Sequence, residues 1–140
     1  MSTFASVPEN SNVQYPSLLR RVQAMFIDFV VILCIFMVSS LIIGAVGSVP
    51  DEIKISILFF CFVLYEPLWI STAGGTIGHQ ILKLRVKRYA TPERNIGFIP
   101  ALGRIIAKTA LGWISFLTVN SSSEKRAIHD ILSGSVVVLK

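Results

Sequence analysis

The chain has 140 residues, 53% of them hydrophobic and only 15% charged, with a net charge of +5. Soluble domains carry about 25% charged residues, so with a mean hydropathy of +0.69 the composition excludes an ordinary water-soluble domain and points to an integral membrane protein. The positive charge lies beside apolar runs, which fits contact with anionic lipid head groups rather than a nucleic-acid surface.

Residues 1–17 are polar, contain Pro8 and Pro16, and are expected to form a flexible cytoplasmic tail. A first helix is expected near 20–47, and Ser17 is a fitting N-cap for it. The helix starts with Arg20 and Arg21, carries one acid at Asp28, and then runs uncharged for long enough to cross a bilayer, which takes roughly 20 apolar residues. Seven residues make nearly two helical turns, so Arg21 and Asp28 fall on one stripe. A short acidic turn, 48–52, separates this from a second helix expected near 53–72 and interrupted by Glu66 and Pro67. Tyr65 and Trp69 read as an interfacial aromatic belt.

The stretch GGTIGHQILKLRVKR is basic, which places it and both helix ends on the cytoplasmic side. Its Gly-Gly-Thr-Ile-Gly run lacks the ending of a phosphate-binding loop. It reads instead as a tight exit turn, with Gly75 and Gly78 giving room and Thr76 capping a short interfacial helix over 76–84. Residues 84–89 and 135–139 have strand character and can pair only from the same side. A third hydrophobic helix is expected near 98–119, with Arg104 and Lys108 early in it. A simple count of three spans puts the C-terminus outside. Lys125, Arg126 and Lys140 favour inside instead, and the third segment is then re-entrant or tilted. The predicted fold class is therefore an all-α membrane protein. It comprises a transmembrane helical hairpin plus a third hydrophobic helix, a cytoplasmic interfacial helix and a small two-stranded β pairing.

The charged residues within the apolar runs are the candidate site. Spacing places Asp28 and Glu66 at about the same depth, near 10 Å, with Arg104 and Lys108 within reach. Two carboxylates at one depth suit an ion or proton site. The same residues suit equally a charge-compensated packing cluster that fixes helix register. His129-Asp130 invites a catalytic reading, but no nucleophile elbow, metal spacing or CxxC accompanies it, and Cys34 and Cys61 sit in apolar runs. No enzyme activity, cofactor or metal is expected.

These residues together resemble the RDD family of small membrane proteins, over about 18–139. RRVQAMFID is similar to the family's first-helix motif, through Arg21 and Asp28. GGTIGHQILKLRVKR resembles its G-x-T-x-G-K stretch. Arg104 matches the arginine opening the third segment. KRAIHDILSGSVVV resembles its closing motif, through His129, Asp130 and Gly134. His79 stands where a lysine is usual and Ser135 where a threonine is usual. The resemblance implies a multi-pass protein of the inner (cytoplasmic) membrane. The expected role is an accessory or scaffold subunit packed against a larger membrane complex. The alternative is a small ion or solute transporter, working by cation/proton exchange as a homo-oligomer.

Overall fold

The computed structural model describes residues 13–140. Most of the expected tail, 1–12, lies outside the described residues. Its last residues are tied down: Leu139 donates its N–H to the Gln14 carbonyl at 2.9 Å, and Pro16 is fully buried.

Helix α1 spans Leu18–Val46, and the Ser17 side chain accepts the Arg20 N–H as its cap. The second helix, α2, runs over Asp51–Ala73. It begins inside the expected acidic turn because Pro50 takes the N-cap position, and Asp51 and Glu52 in the first turn favour the positive end of the helix dipole. Its middle, Phe60–Leu64, widens into a π-helical turn. Pro67 explains this, since its ring crowds the carbonyl of Val63 and offers no N–H to it. Gly74, at φ 76°, ends α2 in the left-handed conformation. Helix α3 is shorter than expected, Ile77–Ile81. Strand β1 (Leu84–Arg88) pairs antiparallel with β2 (Ser135–Leu139), Val86 lying opposite Val137.

Among the described residues, three helices are long and apolar enough to cross a membrane: Leu18–Val46, Asp51–Ala73 and Phe98–Val119. The third is not one straight helix. Helix α4 covers Phe98–Leu111. Gly112 then takes φ 54° and ψ −137°, which no helix continues through, and Gly112–Val119 proceeds as a 3-10 helix. At about 1.5 Å per residue α4 alone is about 21 Å long, and the break at Gly112 lets the remainder change direction. Both ends of the segment attach to the same β pair. Before it, Lys87 bridges to Asn95 and Ile96 packs with Val86. After it, Glu124 accepts the Tyr89 hydroxyl at 2.8 Å and the Arg126 guanidinium stacks 4.0 Å over the Tyr89 ring. Both ends of the third segment therefore lie at the face that carries the β pair, the segment returning to where it began.

Helix α5 (Ile128–Leu132) was not expected from the sequence; its five residues are too short for a periodic signal. The packed core is small: Ala24, Ile70, Leu84, Val86, Ile96, Ala101 and Val137, where the helix ends meet the sheet. At the other end Leu41, Val46 and Ile55 stand exposed, as lipid-facing side chains do.

This topology is testable with Arg88→Cys and Lys140→Cys, each in a Cys34→Ala/Cys61→Ala background. An impermeant thiol reagent should reach both positions from the same side of sealed vesicles. Labelling from opposite sides would refute the returning third segment.

Candidate functional site

Arg21 lies in the first turns of α1, Glu66 in α2, Arg104 and Lys108 one turn apart on α4, and Asp130 in α5. The fold brings all five together. Arg21 Nη1 donates to Asp130 Oδ2, and Arg21 Nη2 donates to the Lys125 carbonyl at 2.6 Å. Arg104 Nε donates to Asp130 Oδ1 at 3.0 Å, and its Nη1 to Glu66 Oε1 at 3.2 Å. Lys108 Nζ donates to Glu66 Oε2 at 2.8 Å. Every oxygen of both carboxylates is thus engaged, and Asp130 also accepts the Ala127 N–H at 3.2 Å, capping α5. Asp130 is 0% exposed, Arg104 2% and Arg21 4%. Burial alone would raise the Asp130 pKa. The Arg104 and Arg21 guanidiniums outweigh it and hold the carboxyl well below the usual range.

His129 sits against this chain with Ser115. Its Nδ1 is 2.5 Å from Ser115 Oγ, which also accepts the His129 N–H at 3.1 Å. Its Nε2 faces Arg104 Nη2 at 3.5 Å. Asp130 Oδ1 lies 3.4 Å from the same nitrogen, so Nε2 faces both a donor and an acceptor. Ser115 and the imidazole share one short contact. A serine nucleophile needs access to substrate, and Ser115 is 0% exposed. Burial, with Arg104 adding to it, pushes the His129 pKa down to about 3 against the pull of Asp130.

Asp28 is held separately. Its carboxylate accepts from the Tyr65 hydroxyl at 3.1 Å, the Thr76 hydroxyl at 2.5 Å and the Gly78 N–H at 2.8 Å, with His79 Nδ1 at 3.7 Å. The Thr76 hydroxyl has one proton and gives it to Asp28. The contact between His79 Nδ1 and Thr76 Oγ1 at 2.5 Å must then be donated by the imidazole. Thr76 also accepts the His79 N–H at 3.3 Å, capping α3 as its position in the exit turn predicts. Gly78 is required by contact: a Cβ there would overlap the Ala24 carbonyl oxygen and press on Asp28. A Cβ on Gly75 would crowd His79 and the Leu84 carbonyl. Gly134, at φ 63°, links α5 to β2, and its carbonyl accepts the Tyr89 N–H at 2.9 Å. Burial lowers the His79 pKa, opposed by the neighbouring Asp28 carboxylate.

Two expectations need correction. Asp28 and Glu66 do not share a site, since each has its own donors and His79 stands between them. Tyr65 is buried and hydrogen-bonded rather than part of an interfacial belt. Arg21 and Asp28 lie on one stripe of α1, and Arg21 is bonded to Asp130. Ser115 was not among the residues the sequence singles out. Its signal was a hydroxyl inside the apolar run ALGWISFLTV, where an unpaired polar group is costly.

A helical hairpin in which two arginines converge on one aspartate next to a Gly-Thr-x-Gly exit turn defines a small polytopic membrane protein with a polar clamp. Residues 15–134 match the RDD family, and the chain belongs to it. No curated protein and no solved structure matches the chain.

Removing one partner of a buried ion pair costs about 3–5 kcal/mol, because the other charge stays buried. Asp130→Asn strips two arginines at once and should sharply lower the melting temperature of the detergent-solubilised protein. Asp28→Asn keeps a carbonyl for the Tyr65 and Gly78 donors and should cost about 1–3 kcal/mol. Equal melting of Asp130→Asn and the unaltered protein would refute the clamp.

His129 also sets a pH dependence. Its folded pKa lies below its unfolded one, so below about 6.5 the unfolded chain binds the extra proton. Stability is full above that pH and falls through the window from 6.5 down to about 3. Going from pH 7 to pH 5 should cost about 2 kcal/mol through this residue. His129→Gln should flatten the acid slope of melting temperature; an unchanged slope counts against the assignment.

Proposed function

We propose that this chain is an accessory or scaffold subunit of the inner (cytoplasmic) membrane, its polar clamp holding one end rigid while the bare faces of α1 and α2 dock on a larger complex. The observation that carries this is the saturation of the carboxylates. Glu66, Asp130 and Asp28 each hold several fixed donors, which suits a permanent brace and leaves no acid poised to exchange a cation. The basic residues Arg20, Lys83, Arg85, Arg88, Arg94 and Lys140 gather at the clamped end, which supports a cytoplasmic placement next to anionic head groups. Midway along α2, Phe59, Phe60 and Phe62 stand exposed in one run, more aromatic surface than a hairpin can cover for itself.

Purification in mild detergent, followed by mass spectrometry, should recover a companion membrane protein in fixed stoichiometry. Phe59→Asn with Phe62→Asn should release that companion without lowering the melting temperature of this chain. Recovery of this chain alone, in a defined symmetric oligomer, would overturn the scaffold reading in favour of cation/proton exchange.

A further inference from the structure

The returning third segment leaves a groove beside α1. Its walls are Val22 and Met25 on one side and Trp113, Phe116 and Leu117 on the other, with Lys108 at its floor, and its volume is about 590 Å³. The walls are almost wholly apolar, and the volume falls within the range that encloses small ligands. Met25, Lys108 and Phe116 also line a second, smaller crevice that adjoins the groove through them and is completed by Arg21, His79 and Arg104. This crevice has a volume of about 10 Å³, room for roughly one oxygen atom.

Two observations bear on what the crevice would hold. First, Arg21 Nε is fully buried and has no hydrogen-bond partner among the described residues, although both terminal nitrogens of the same guanidinium are bonded. A buried charged donor left unpaired costs more than an ordinary one, and an acceptor in the crevice would satisfy it. Second, the charges around the crevice do not balance. Arg21, Arg104 and Lys108 pair with Glu66 and Asp130 alone, so this ion-paired group carries one positive charge in excess, and Asp28 is bonded on the far side of His79 to none of the three. Lys108 has three N–H donors and spends one on Glu66. The free valences are therefore donors, the excess charge is positive, and the space is one oxygen wide at the end of an apolar trough.

We propose that the groove binds one long-chain carboxylate, its alkyl chain lying between Val22 and the Trp113–Leu117 wall. One carboxylate oxygen enters the crevice, where Arg21 Nε–H and Lys108 take it. A neutral ester of the same chain fills the trough but brings no charge to the crevice. A phosphodiester lipid brings a second chain and a glycerol unit to a floor with room for a single oxygen.

Trp113 is the reporter, since the sequence contains two tryptophans and Trp69→Phe leaves it alone. Dibromostearate added to the detergent-solubilised Trp69→Phe protein should quench Trp113 saturably. Its methyl ester should need about tenfold more, the loss of one charge-assisted hydrogen bond. Lys108→Gln keeps a donor for Glu66 and should weaken the carboxylate about tenfold while leaving the ester unchanged. Val22→Phe with Leu117→Phe, both at exposed positions clear of the ion pairs, fills the trough and should abolish saturation in a protein of unaltered melting temperature. Equal quenching by acid and ester, tighter quenching by a brominated phosphatidylglycerol, or saturation surviving the double substitution would each overturn the proposal.

Discussion

The structure depends on one carboxylate shared by two guanidiniums. Asp130 is bound by Arg21 from the first helix and by Arg104 from the fourth. Three elements far apart in sequence are thereby fixed at one point. Because Arg21 lies where α1 begins, Asp130 must come back to that end, and with it everything between 120 and 140. A third segment that crossed the bilayer would carry Asp130 to the wrong side. The turn at Gly112 and the return through Ser115 follow from this single requirement.

Such a clamp has a clear physical motive in this chain. Between helices in lipid there is little hydrophobic driving force, because lipid tails are as apolar as leucine. The packed core here is correspondingly small and confined to the end where α1, α2 and α4 meet the β pair. Polar contacts that find no alternative partner nearby must set the geometry. Glu66 joins α2 to α4 through Arg104 and Lys108, and Asp28 joins α1 to α3 through Thr76 and Gly78. The Gly78 contact is a close approach of backbone to backbone, which is why no side chain fits there.

Much of this was legible in the sequence, and the reasons for the rest are physical. The hairpin was legible because long uncharged runs have few alternatives. The strand pair was legible through alternation and β-branching at Leu84–Arg88 and Ser135–Leu139. The charged residues were legible as a set, since each is out of place in an apolar run. Their pairing was not: periodicity tells which face a side chain takes but not which distant element lies opposite. Spacing puts Arg21 on one stripe with Asp28, while the group that bonds Arg21 lies 109 positions away. Helix α5 and the 3-10 turn were hidden because both are too short to show a period. Ser115 was overlooked because its importance comes from His129, which only the fold places beside it.

His79 shows how the two halves of the site are kept apart electrically. It stands between the Asp28 clamp and the Arg104–Glu66–Lys108 group, in a position where the family resemblance leads one to expect lysine. A permanent cation there would face Arg104 and Lys108 across a buried crevice. An imidazole whose pKa is lowered by burial supplies the Nδ1–H that Thr76 accepts and adds no charge at neutral pH. The positive excess around the crevice then belongs to Arg21, Arg104 and Lys108 alone, set against Glu66 and Asp130. Asp28, held by hydroxyls, a backbone N–H and a neutral ring, neither requires nor receives a share of those cations.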